Sequence, residues 1–330
     1  MALIAPENHS EGRAQPPEPF RKRILAVHYS QSGQLTEIVE SILGPLHAVE
    51  GIEVVSVRLA PLPPYPFPWP IGAFLDAFPE SALMIPPALA PLPIDAGSRF
   101  DLVILAYTVW YLAPSPPVSA FLQSPAARVM KDTPVVTVVN ARDKWLSAQE
   151  LVKAHLARIG AVHTDHVALV HSGNALQNLV TTLRWMWTGR RNAFWGIFPP
   201  AGVDPAEIAG ARRFGEAVRA ALIEGRERKG RPMLEGLGAV SVNRALIPQE
   251  HAARAVFDFW ARAVRRCGAP GERRRCLALA IFGVFLASLL VLSLPAVLIY
   301  KWLIAPLAKS SLDRAAAYYE RPSGSARRPD

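Results

Sequence analysis

The 330-residue sequence predicts an α/β fold: a five-stranded parallel sheet with helices on both faces, followed by one C-terminal transmembrane helix. Three observations carry that reading. Five short runs between positions 24 and 171 are almost continuously apolar, as strands covered on both faces are. The segments between them place apolar residues at helical spacing. Residues 276–300, CLALAIFGVFLASLLVLSLPAVLIY, hold no charged residue and exceed the roughly 20 residues that a bilayer core requires.

Residues 1–20 combine Pro, Glu and Ser without a basic start or apolar centre, and read as a flexible leader rather than a signal peptide. The first run, 24–29, leads into a helix over 34–46 whose stripe is Leu35, Ile38, Val39, Ile42 and Leu43. The second run is 53–59. Residues 60–93 then hold 11 of the 31 prolines, interleaved with Trp69, Phe74, Phe78 and Met84. Such a stretch reads as a linker or polyproline ligand, or as a wall over an active site, which is the favoured expectation because long insertions in compact domains tend to be functional.

The third run is 101–107, and Ser115-Pro116 supplies an N-cap and first-turn proline for the helix after it. The fourth run, 134–140, precedes a helix over 146–159 that Gly160 is placed to end. The fifth is 166–171. Residues 178–200 mix Trp185, Trp187, Phe194 and Trp195 with Arg184, Arg190 and Arg191, a composition suited to substrate or to lipid headgroups. Asp204 caps one last helix with the stripe Ile208, Ala211, Gly215, Val218 and Leu222. The expected organisation is a domain over 21–225, a linker and basic juxtamembrane helix over 226–275, the spanning helix over 276–300 and a tail over 301–330.

The two cysteines, Cys267 and Cys276, leave residues 1–266 without a thiol. That excludes a cysteine nucleophile in the body, a disulfide scaffold and a Cys-rich zinc module, and no other metal-ligand spacing occurs. The net charge of +9 is concentrated: seven arginines lie between Arg254 and Arg275 against only Asp258 and Glu272. Beside an apolar span, this cluster points to anionic lipid rather than nucleic acid, and it places the body on the cytoplasmic side of a single-pass membrane protein.

The chemistry-bearing residues lie where the first run meets the first helix, in Tyr29-Ser30-Gln31-Ser32-Gly33-Gln34-Leu35-Thr36. Hydroxyls and backbone N–H groups at a helix N-terminus form a phosphate site. A single glycine argues against dinucleotide binding, and the lack of Gly-Lys-Ser/Thr argues against a nucleoside triphosphate, which leaves a phosphate monoester. Two further segments follow strands of the same sheet: Thr108-Val109-Trp110-Tyr111-Leu112-Ala113-Pro114-Ser115, aromatic where a planar ring would stack, and Asn140-Ala141-Arg142-Asp143-Lys144-Trp145.

The S-x-S-G-x-x-T loop resembles the FMN loop of flavodoxins, with Leu35 where a threonine is usual. The resemblance implies FMN, its phosphate held by Ser30, Gln31, Ser32, Gly33 and Gln34 with the backbone of Leu35. It also implies a ring bounded by Val109, Trp110, Tyr111, Asn140, Arg142 and Trp145. At a finer level YSQSGQLTEIVESIL, PYPFPW, VWYLAPSPPVSAFL, WMWTG, PPAGVDPAEI and YYERPSG resemble the dialkylresorcinol condensing enzymes. That family implies a part in making resorcinols with two alkyl chains, beside a ketosynthase and an acyl carrier protein. Without a usable cysteine, condensation is disfavoured, and FMN-dependent oxidation of a hydrophobic dialkylcyclohexane-1,3-dione to the resorcinol is the expected step. Arg142 and Lys144 are the candidate stabilisers of enolate charge, and Tyr111 or His171 the candidate base. The alternatives are an NAD(P)H:quinone reductase or membrane oxidase on the same fold, and an FMN-free scaffold tethered to the membrane.

Overall fold

The computed structural model describes residues 21–95, 97–229, 231–299 and 309–326, with the side chains of 290–299 left aside. The expected leader and the end of the apolar segment lie outside the described residues.

Five parallel strands, β1 (Lys22–His28), β2 (Ile52–Arg58), β3 (Leu102–Trp110), β4 (Pro134–Ala141) and β5 (Val162–Val170), form a sheet in the order β2-β1-β3-β4-β5. This is the doubly wound order whose switch point lies between the first and third strands. Each strand overlaps a predicted run, because parallel strands buried on both faces are written as unbroken apolar sequence. β4 is buried at all eight positions.

The sheet has six strands, not the predicted five. Ala113–Pro114 folds back antiparallel on the end of β3, with Trp110 opposite Ala113 and Val109 opposite Pro114. The turn between them is Tyr111-Leu112, and both residues have positive φ, 50° and 63°. Positive φ at both central residues is the condition for the hairpin turn that matches strand twist. The sequence lacks the Asn-Gly or Asp-Gly that normally announces it.

Helix α1 (Gln34–His47) buries the predicted stripe against one face of the sheet. The Pro-rich segment contains α2 (Ile71–Asp76), α3 (Phe78–Ala82) and a two-residue pairing of Pro61–Leu62 with Ala88–Leu89. Beyond it lie α4 (Pro116–Gln123), α5 (Leu146–Ile159) and α6 (Ala175–Thr188). Gly160 ends α5 at φ 81°, as predicted, and a reciprocal Asn174/Gln177 capping box opens α6. The last predicted domain helix divides at Ala211 into α7 (Pro205–Gly210) and α8 (Arg212–Ile223).

Chain beyond 225 is stitched to this body. The Asp165 carboxylate accepts the N–H groups of Met233 and Leu234 at 2.9 and 3.0 Å and the Ser323 hydroxyl at 2.8 Å. The Ala168 N–H donates to Ala239 O at 2.9 Å, which covers part of the β5 edge.

The expected transmembrane helix, and with it single-pass membrane localisation, is corrected here. Among the described residues no helix is long and apolar enough to cross a membrane. One face of the first half of α10 (Cys276–Ile299) packs on protein: Leu279 and Phe282 are buried with Phe78, Leu112, Phe257, Ala261 and Val264, while Leu277, Ile281 and Val284 on its other face are exposed. The basic helix before it, α9 (Ile247–Cys267), likewise spends cations on protein groups. Arg254 donates to Ala82 O at 2.7 Å and pairs with Asp258 at 2.8 Å. Arg265 pairs with Glu80 at 3.1 Å, and the fully buried Arg275 pairs with Asp76 and Glu80 at 2.8 and 2.9 Å. The last helix, α11 (Lys309–Tyr319), returns to the body through a Tyr319 hydroxyl 2.7 Å from His251 Nε2.

Candidate functional site

The three segments singled out in the sequence meet at the carboxyl edge of β1, β3 and β4, which are consecutive strands of the sheet. Gly33 opens α1 at φ 91°, a conformation that costs glycine least. It turns the chain so that the first N–H groups of the helix face outward from the strand edge. Ser30 is 1% exposed, and its hydroxyl has no hydrogen-bond partner among the described residues. Thr108 Oγ1 and Asn140 Oδ1 are buried and unpartnered in the same way, and these two residues sit opposite each other in the β3–β4 register. Buried polar atoms are almost always satisfied, so three orphans at the carboxyl ends of three adjacent strands make this the candidate place for a polar ligand.

The remaining loop residues divide between ligand and scaffold. Ser32 is half-buried beside Gly33. Gln31 donates to Pro66 O at 2.7 Å and ties the loop to the Pro-rich segment. Gln34 is fully buried and committed to the protein: its Oε1 accepts the Val203 N–H at 3.0 Å and Asn140 Nδ2 at 3.4 Å. Leu35 is a core side chain, which leaves its backbone for any ligand contact. Thr36 Oγ1 lies 3.2 Å from His28 Nε2.

Above the loop stands an aromatic wall. Trp110 meets Tyr29, Tyr65 and Trp69 edge-on, with centroids 6.1, 5.0 and 4.6 Å away, and Trp69 continues to Phe74 at 5.2 Å. The Trp69 N–H donates to Met186 O at 2.7 Å, and Phe67 meets Trp185 at 6.2 Å, so the Pro-rich segment joins α6 across this edge. The Trp69 indole Nε1 is a further buried orphan. Tyr65 and Arg58 are candidate residues that sequence reasoning missed, whereas Thr108 opens the 108–115 segment that it singled out. The alternation of aromatics with prolines in PYPFPW was the available signal for Tyr65.

The candidate catalytic residues are brought together in part. Arg142 and Lys144 both pair with Asp143, each at 3.2 Å. Burial opposes ionisation of Asp143, but the two cations outweigh it and hold the carboxyl below its usual range. His171 follows β5 beside them, its backbone N–H donating to Ala141 O at 3.1 Å and its Nδ1 3.2 Å from Thr182 Oγ1. Burial, then the neighbouring Arg142, lowers His171 to about 4, so the imidazole is neutral at physiological pH. Tyr111 is turned away toward Phe74, Phe78 and Phe257, and its hydroxyl donates to Phe74 O at 2.6 Å. Burial holds that phenol well above the ordinary tyrosine range. Val109 sits in the hairpin with Pro114, and Trp145, 2% exposed, packs on the His166 ring at 5.0 Å.

No family model and no curated protein sequence matches the chain. Solved structures similar to it include a flavodoxin from the domain Archaea, with 8% identity over 61% of this chain and 99% of that one and a TM-score of 0.34. A flavoprotein in complex with FMN from Lactobacillus acidophilus shares 15% identity over 44% of this chain and 93% of that one, with a TM-score of 0.33. An oxidoreductase from Corynebacterium diphtheriae shares 11% over 62% and 98%, with a TM-score of 0.31. It is the strand order that defines the fold as flavodoxin-like, an open parallel α/β sheet with its candidate site at the switch point.

Proposed function

We propose that the protein is an FMN-dependent oxidoreductase that aromatises a dialkylcyclohexane-1,3-dione to a dialkylresorcinol. The observation that carries the flavin part is the line of unpartnered buried atoms, Ser30 Oγ, Thr108 Oγ1 and Asn140 Oδ1, at the switch point of a flavodoxin-like sheet. The loop fits a phosphate monoester through Ser30, Ser32 and the N–H groups around Gly33. Thr108, Asn140 and the Trp69 indole offer polar atoms suited to a heterocycle edge. Bound there, FMN supplies a two-electron acceptor.

The chain's own residues would do the rest. The wall of Tyr65, Phe67, Trp69 and Trp110 offers an apolar surface to alkyl chains and limits water at the site. Arg142 stands at the end of β4 to stabilise charge on the enolate oxygen. His171, neutral and adjacent, would receive the ring proton at Nε2 while Nδ1 is held by Thr182. The dione loses one hydride and one proton, which balances conversion to the aromatic diol. The two cysteines lie at the end of α9 and the start of α10, so no thiol on the site's elements serves as an acyl acceptor.

The test is to supply a dialkylcyclohexane-1,3-dione and an electron acceptor to the FMN-loaded protein, without acyl carrier protein. Resorcinol formation supports the assignment. Consumption and joining of acyl thioesters with the dione untouched would replace it with condensation. Oxidation of NADPH by quinone with the dione untouched would replace it with quinone reduction.

A further inference from the structure

We propose that Arg58 is the charge selector of the phosphate site, the residue through which the protein distinguishes a phosphorylated flavin from riboflavin. The inference rests on the FMN reading and deepens it. Sequence alone gives the loop no cation: between Tyr29 and Thr36 every polar group is neutral, and a phosphate monoester near pH 7 carries between one and two negative charges. The fold supplies one from a different strand.

Arg58 is the last residue of β2 and lies beside His28, the last residue of β1, in the parallel register. Its guanidinium donates to the Ser30 carbonyl at 3.1 Å, which fixes it against the loop at the residue whose hydroxyl is unpartnered. Among the described residues no carboxylate pairs with Arg58, although Arg23 on the neighbouring strand and Arg191 near the start of α1 both have glutamate partners. Its field is felt at the loop: burial first, then Arg58, lowers His28 to about 4, so this histidine is neutral and adds no charge there, while the nearby Arg191 is held by Glu37. One N–H holds the loop carbonyl, and the guanidinium fork retains further donors for phosphate oxygens. Charge-assisted bonds of this type are roughly twice as strong as neutral ones. A neutral hydroxyl in place of the phosphate, as in riboflavin, would not gain that increment.

The experiment is a titration of flavin fluorescence quenching with the 330-residue chain, using FMN and riboflavin separately, for wild type, Arg58→Gln and Arg58→Lys. The expected result is that Arg58→Gln weakens FMN binding about tenfold and leaves riboflavin within about twofold, with Arg58→Lys between the two. Raising salt from 50 to 500 mM should weaken FMN binding by wild type several-fold and by Arg58→Gln far less. An unchanged FMN-to-riboflavin ratio in Arg58→Gln overturns the role of Arg58 and leaves the FMN site intact. Equal loss of both flavins shows a structural role and overturns it too. If wild type binds neither flavin, the FMN reading itself falls and takes this inference with it.

Discussion

Phe282 stacks on Phe78, with ring centroids 3.7 Å apart and planes 10° from parallel. Both side chains are fully buried, and Phe257 and Tyr111 close the same cluster from α9 and the β3 hairpin. The contact joins the start of the apolar helix to the Pro-rich segment, and through Tyr111 to the aromatic wall. Truncating it with Phe282→Ala should cost about 3–5 kcal/mol of local packing, as large aromatic deletions in cores do. The expected signature is earlier proteolysis within 268–289 and a lower urea midpoint. A variant as protease-resistant as wild type would show that α10 is not held there.

Arg275 offers a second test of the same junction. Its side chain is fully buried between Asp76 and Glu80, which are partly exposed. Glu80→Ala removes a carboxylate that also serves Arg265 and leaves Arg275 under-compensated. The loss expected is about 2–3 kcal/mol, reduced from the fully buried case by the solvent that reaches Glu80. Thermal unfolding measures it, and a melting temperature within one degree of wild type would contradict it.

At Gly215 the limit is steric. A Cβ built on this residue of α8 would stand 1.9 Å from Ile42 O in α1, so the two helices cross with backbone in near contact. Gly215→Ala forces them apart at a cost of about 1–3 kcal/mol or more. Because α1 begins at the phosphate loop, the variant should also weaken FMN, which the fluorescence titration reads. Unchanged stability would mean that the helices shift freely.

Acid should destabilise the fold before any carboxylate of ordinary pKa titrates. Burial first of all lowers His28, His163 and His171 to about 4 and His166 well below its ordinary value. In the unfolded chain each takes up its proton near 6.5, whereas the folded protein excludes it well below that, until about pH 4 at His28, His163 and His171. Their contribution is therefore fully present above about pH 6.5 and lost as pH falls toward 4. Asp165 and Glu250, raised mainly by burial, act in the opposite sense as pH falls. Four histidines outweigh two carboxyls between pH 6.5 and 5, so the urea midpoint should fall across that interval. A flat or rising midpoint would contradict the reading.

For turnover, Phe67→Ala should raise KM several-fold with kcat nearly kept, if the ring contacts alkyl chain equally in ground and transition states. Arg142→Gln should lower kcat about a hundredfold, as loss of a charge stabiliser does. Steady-state kinetics with the dione separates the two, and the reverse pattern would exchange the roles.

Much of the fold was legible because its signals are local. Buried parallel strands write unbroken apolar runs, and α1 writes its stripe; α5 and Gly160 write their own ending. The Ser30-Gln31-Ser32-Gly33 turn identified the strand-helix junction in the same way. Tertiary structure decided what depends on partners distant in sequence. The sixth strand arises from positive φ at Tyr111 and Leu112, which β3 and the Phe78 cluster impose on residues with no intrinsic preference for it. Gln34 reads as a phosphate ligand until Val203 and Asn140 arrive from 169 and 106 residues away and take its side chain. The 276–300 segment carries the hydrophobicity of a membrane helix, but hydrophobicity states only that a surface avoids water. Which apolar surface receives Leu279 and Phe282 was settled by Phe78 and Phe257, brought close by a chain path that no local pattern encodes.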